Sequence, residues 1–91
     1  MTLEFTYVYE TAGGFVFYRD TKKKIMDLIR ADYKELNEII KDSQKEYGTS
    51  ASYCNMSVDD TNPYIAKAEM VLNLNGHYRT YRVRTEVKEI I

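Results

Sequence analysis

The chain has no tryptophan and only one cysteine, one histidine and one proline. A single thiol, Cys54, cannot close an internal disulfide, so a reducing cytoplasm is the expected compartment. A single histidine, His77, with no cysteine or acidic cluster beside it, lacks metal-ligand spacing and reads as an exposed turn residue. No apolar run approaches the roughly 18 residues of a spanning helix, and residues 1–10 lack the charged-then-apolar pattern of a secretory leader. No membrane association is expected. Neither sign of charge is in excess: 13 Lys plus Arg stand against 14 Asp plus Glu. That balance argues against a generic polyanion binder, which carries a large basic surplus. Nucleotide fingerprint, zinc motif and nucleophile elbow are all missing, so neither a cofactor nor an enzymatic activity is expected.

What remains is globular composition. Ninety-one residues, 44% hydrophobic and 30% charged, suit one domain spanning 1–91, without repeats or linkers. The conspicuous surplus is nine tyrosines.

Thr2 to Glu10 alternates through Leu3, Phe5, Tyr7 and Tyr9, the period of a strand. Thr11-Ala12-Gly13-Gly14 interrupts it, and Phe15 to Tyr18 resumes strand-like composition, which predicts a hairpin. With residues 12 and 13 as the turn, Tyr9 faces Val16, Val8 faces Phe17 and Tyr7 faces Tyr18. A bulge at Gly13-Gly14 within one bent strand fits the same residues.

Asp20 or Thr21 then caps a helix running to about Tyr47, with Gly48 as its terminator. At 100° per residue Ile25, Leu28, Ile29, Tyr33, Leu36, Ile39, Ile40 and Tyr47 form one apolar stripe. The opposite side carries Lys23, Asp27, Arg30, Lys34, Glu38, Lys41 and Lys45.

Ser50 to Val58 alternates again, and Asp59 to Pro63 is turn-forming. Asn75-Gly76 predicts a type I′ hairpin. It sets Leu74 opposite His77, Met70 opposite Tyr81, Ala68 opposite Val83 and Tyr64 opposite Val87. On the reverse face Glu69 stands across from Arg82, and Lys67 across from Arg84 with Glu86 diagonal to it. The expected fold is α+β: one long amphipathic helix on an antiparallel sheet of four to five strands, in the order β-β-α-β-β-β.

Several residues invite a chemical reading. Cys54 lies on the inward side of its strand and reads as a small core hydrophobe. Asp32 falls inside the helical stripe, where a carboxylate is costly unless paired. It either reaches solvent, pairs with an inward-turned Arg or Tyr hydroxyl, or acts as an acid of raised pKa in a pocket. Asp59-Asp60 lacks calcium-loop spacing, and Asn55-Met56-Ser57 matches a glycosylation acceptor without a leader to make use of it.

Two surfaces suggest partners. If the helix covers the Tyr7 face, Val8, Phe15 and Phe17 are left on the other face, with Ile65 and Val71 nearby. An exposed apolar and aromatic face marks a protein interface or homodimer contact. The expectation is a non-enzymatic interaction domain, an inhibitor or adaptor occupying a surface of a larger partner, of the type phages and plasmids encode against host defence. Along the last strand Tyr78, Arg79, Tyr81, Arg82 and Arg84 interleave aromatic and guanidinium groups. This gives the alternative of a nucleic-acid contact through Tyr78, Arg82 and Arg84. A third alternative is a small ligand-binding or enzymatic site around Asp32 and Cys54.

Overall fold

The computed structural model describes residues 2–11, 13–47 and 52–90, leaving aside the side chains at 46 and 47. Its elements are β1 (Thr2–Thr11), β2 (Val16–Asp20), α1 (Lys22–Tyr47), β3 (Tyr53–Asp59), β4 (Lys67–Leu74) and β5 (His77–Ile90). The five strands form one antiparallel sheet in the order β2-β1-β5-β4-β3. The expected α+β plan, one helix on an antiparallel sheet, is the fold. Gly48, Ala12, residues 50–51 and the Tyr47 side chain, to which the sequence assigned roles, lie outside the described residues.

Because β2 and β3 are the two edges, α1 carries the chain from one side of the sheet to the other. Its 26 residues span about 39 Å, enough to cross five strands. The start of α1 is fixed by two side chains. Asp20 accepts from the Thr21 N–H (2.7 Å) and the Thr21 hydroxyl from the Lys24 N–H (3.4 Å), which satisfies donors a helix leaves open. Three lysines fill the first turn with no acid among them, the adverse sign for the helix dipole. Each has an acid beside it: Lys22 pairs with Asp60, Lys23 with Asp27 at 2.8 Å and Lys24 with Asp20 at 3.7 Å.

The core lies between α1 and one sheet face. Ile25, Met26, Ile29 and Ile40 of the helix meet Tyr7, Tyr9, Cys54, Ala66, Ala68, Met70, Leu72 and Val83. Leu28, Tyr33 and Leu36 are only partly buried, and Ile39 is 54% exposed. The apolar stripe is therefore narrower than its spacing suggested. Ile39 sits about 80–100° around the helix from Ile29 and Ile40, at the rim of the buried sector.

The β4–β5 hairpin follows the predicted register from Ala68↔Val83 to Leu74↔His77. Asn75 and Gly76 both take positive φ, 53° and 91°, as a two-residue I′ turn requires. The pairing does not extend to Tyr64. That residue lies in the loop before β4, stacked on Phe5 (ring centroids 5.6 Å apart) while its carbonyl accepts from the Tyr7 hydroxyl.

The first hairpin departs further from expectation. It is a hairpin, closed by Thr11 N–H to Phe15 C=O and Gly14 N–H to Thr11 C=O, each 3.0 Å. Its register, however, is Tyr9↔Tyr18 and Glu10↔Val16, with a bulge between. Phe17 is the extra residue. An inserted residue breaks strict alternation, so Phe17 lies on the helix side, edge-on to Tyr9 (5.7 Å) and stacked on Tyr81 (6.3 Å). The prediction that Phe17 faces away from Tyr7 with Val8 is overturned.

Candidate functional site

Asp32 is tied to Tyr9, and Cys54 lies in the β3–β4 ladder. The Tyr9 hydroxyl donates to Asp32 Oδ2 at 2.9 Å, one of the pairings anticipated for a carboxylate in the helical stripe. Burial, reinforced by the hydrogen bond to Asp32, pushes the Tyr9 phenol far above its ordinary pKa. Cys54 is buried beside Leu72 in the β3–β4 ladder, and burial raises its thiol. A raised thiol stays protonated near neutrality and is a poor nucleophile. His77 is exposed at the β4–β5 turn. Among the described residues no three His, Cys, Asp or Glu side chains gather as metal ligands.

The reverse face of the sheet is charged. Arg82 Nε donates to Glu69 Oε2 at 3.2 Å across the β4–β5 ladder, in the predicted pairing. Arg84 turns toward β1 rather than to Lys67. Its Nε donates to Glu10 Oε1 (2.9 Å) and its Nη1 to Glu86 Oε1 (2.6 Å), while Arg19 Nη1 donates to Glu86 Oε2 (2.7 Å). The Arg84 guanidinium holds the Glu86 carboxyl below its ordinary pKa, with Arg19 adding to the effect.

This network changes the standing of Val8. Its Cα partners are Arg19 on one side and Arg84 on the other, and Val8 is fully buried at 0% exposure. Long arginine stems cover apolar surface while their charged heads stay in water. Val8 is thus a buried residue under an ionic roof, not an exposed anchor. Alternation placed it on the correct face but could not show what lay over it.

The other proposed anchors separate. Val71 is half-buried between Asn55 and Thr80. Ile65 is exposed in the loop before β4, across β5 from β1 and away from the β1–β2 turn. Phe15 and Phe17 remain together, 73% and 47% exposed. With Thr11, Gly13, Tyr78, Arg79 and Thr80 they line a groove of about 460 Å³. β1 stops pairing at Thr11↔Tyr81, so Tyr78 to Thr80 have no β1 partner on that side.

The groove therefore joins residues that sequence reasoning had divided between two hypotheses. Phe15 and Phe17 came from the interface reading, Tyr78 from the nucleic-acid reading. Their meeting depends on β1 lying against β5, a pairing that local patterns do not encode. Arg82 and Arg84, the other two nucleic-acid candidates, are elsewhere and carry acids on their guanidinium groups. Comparison with protein-family models, with curated proteins and with solved structures finds no match for this chain.

Proposed function

We propose that this chain is a protein-interaction domain that engages a partner through the aromatic groove at the end of β1, β2 and β5. The observation carrying this reading is the exposure of Phe15 and Phe17, 73% and 47%, along one groove that Tyr78, itself 64% exposed, also lines. Large aromatic rings left in water cost roughly 1.5–3 kcal/mol each relative to burial. They are also the side chains that anchor interfaces, because little rotamer entropy is lost on docking. Phe17 in turn packs on Tyr9 and Tyr81, so the groove is backed by rigid structure.

The alternative of a nucleic-acid contact through the C-terminal hairpin has less support. Phosphate contacts need available cations, and Arg82 and Arg84 are each bound to a carboxylate.

The test is the double variant Phe15→Ser, Tyr78→Ser. Both side chains are mostly in water, so urea unfolding should move by less than ~0.5 kcal/mol. Association should fall at least tenfold, read by sedimentation for self-association and by quantitative capture against wild type for partners. Unchanged mass and unchanged captured proteins would overturn the reading. Phe17→Ser is unsuited to the purpose, since removing its ring strips packing from Tyr9 and Tyr81.

A further inference from the structure

The two edges of the sheet are not equivalent. Edge strands are normally protected by shortness, lysine, proline or a bulge. β2 has such protection: it is five residues long, bulged, and ends in Arg19-Asp20. β3 has little. Its seven residues, Tyr-Cys-Asn-Met-Ser-Val-Asp, contain no lysine or proline, and they pair with β4 in unbroken register from Tyr53↔Asn73 to Asp59↔Lys67. Among the described residues its outer side carries no strand. A row of backbone donors and acceptors therefore stands open along β3.

Beside this edge lies a groove of about 640 Å³ between β3 and α1, lined by Tyr33, Asn37, Ile40 and Gln44 on the helix and Ser52 to Asn55 on the strand side. From Tyr33 to Gln44 the helix advances about 16 Å, the length of roughly five extended residues. The outer flank of α1 above the groove is basic. Arg30, Lys34, Lys41 and Lys45, spaced four, seven and four residues apart, fall on one side of the helix. Glu38 is the one acid among them. None of these four cations belongs to an ion pair of the described residues. In a chain of net charge −1, this is a local positive excess with no internal counterpart.

We infer that the β3 edge and the basic flank of α1 bind an extended, acidic segment of a partner protein, added to the sheet as a sixth strand. Backbone pairing supplies affinity in this mode, and side-chain pockets and charge supply selectivity. The charge also argues against a second copy as occupant, because β3 against β3 would bring two basic flanks together. The inference rests on the reading of the chain as an interaction domain but uses a different surface from the aromatic groove.

The experiment is selection of a displayed library of random twelve-residue peptides on the immobilised domain, followed by amide chemical-shift mapping with the synthetic winners. Enriched peptides should carry Asp or Glu among β-branched residues, and shifts should run along Tyr53 to Asp59 and Tyr33 to Gln44. The double variant Lys34→Glu, Lys41→Glu should weaken binding at least tenfold. So should N-methylation of alternate peptide amides, which removes backbone donors without changing side chains. Circular dichroism of the exposed-site variant checks that it folds. Failure to enrich peptides, enrichment without acids, or indifference to charge reversal or N-methylation would overturn the inference, as would a dimer joined through β3. Peptides that shift Phe15, Phe17 and Tyr78 instead would reject the β3 site while upholding the proposed function. Loss of association in the Phe15→Ser, Tyr78→Ser variant has no bearing on peptide binding at β3, so the two claims fail separately.

Discussion

At the scale of single residues, the contact between Tyr9 and Asp32 sets an asymmetry that mutagenesis can read. Tyr9 is fully buried, whereas Asp32 is only partly so. Tyr9→Phe keeps the ring against Phe17 and Tyr81 and leaves Asp32 able to reach water, at a cost of ~0.5–1.5 kcal/mol. Asp32→Ala leaves a buried hydroxyl without its acceptor and should cost more, ~1–3 kcal/mol. Urea midpoints of the two variants check the order, and equal losses would show that the bond does not govern stability. The same phenol sets an alkaline limit. In the unfolded chain Tyr9 ionises from about pH 10, while in the fold it stays neutral because its pKa is raised. Its contribution is complete below pH 10 and declines as pH rises above that value.

Asp32 was recognisable in advance, because a carboxylate in an apolar stripe must find a partner. The identity of the partner was not, since it depends on which strand lies under the middle of α1. Val8 shows the same limit from the other direction. Period-two alternation assigned its face, but burial came from Arg19 and Arg84, two residues distant in sequence whose stems meet over it.

At the scale of elements, the helix is unevenly anchored. Ile25, Met26 and Ile29 are buried in its first third, and Ile40 is the one buried apolar side chain among the described residues of the helix beyond them. Ile29→Ala should cost ~2–5 kcal/mol. Leu36→Ala, at a position central to the stripe yet only partly buried, should cost less than half as much, and Ile39→Ala less than ~0.5 kcal/mol. Denaturant unfolding of the three variants tests the ranking. A Leu36 effect as large as that of Ile29 would mean that the C-terminal half packs more closely than described. The element types and the β4–β5 register were legible because the 3.6-residue and two-residue periods are local, and Asn75-Gly76 fixes its own turn. The bulge at Phe17 was not. One inserted residue leaves composition unchanged but alters every facing relation on its side of the insertion.

At the scale of the molecule, the two faces of the sheet are held by different physics. One is sealed by α1 through apolar contact. The other is covered around Val8 by Arg19, Glu10, Arg84 and Glu86. Glu86 has a lowered pKa, so its contribution is present above the ordinary carboxylate range and is lost as pH falls through the folded-state value. Glu86→Gln should therefore be less stable than wild type at neutral pH, with the difference disappearing below about pH 4 and shrinking in molar salt. A stability difference that persists unchanged in acid would rule out the ionic origin. The strand neighbours β1 and β5 were the part of the architecture least accessible to sequence reasoning. Both strands alternate, and nothing in their local pattern names a partner some eighty positions away.

That pairing has a consequence for how the chain comes to be folded. β1 is made before the other four strands, but its longest ladder, from Thr2↔Ile90 to Thr11↔Tyr81, is with β5, the last of the five. During synthesis the β1–β2 hairpin and α1 emerge well before β5, so Tyr7 and Tyr9 wait without Val83 and the rest of their sheet. Loop closure over such a separation is slow compared with hairpin formation. The early chain is an unfinished sheet with an apolar strand open on one side, the state in which nascent proteins are most exposed to aggregation and to chaperones. The Asn75-Gly76 turn lies late in the chain and draws β5 alongside β4 within a few residues. Closure of the β1–β5 seam joins the β1–β2 hairpin to the three-stranded β3–β4–β5 unit in one sheet.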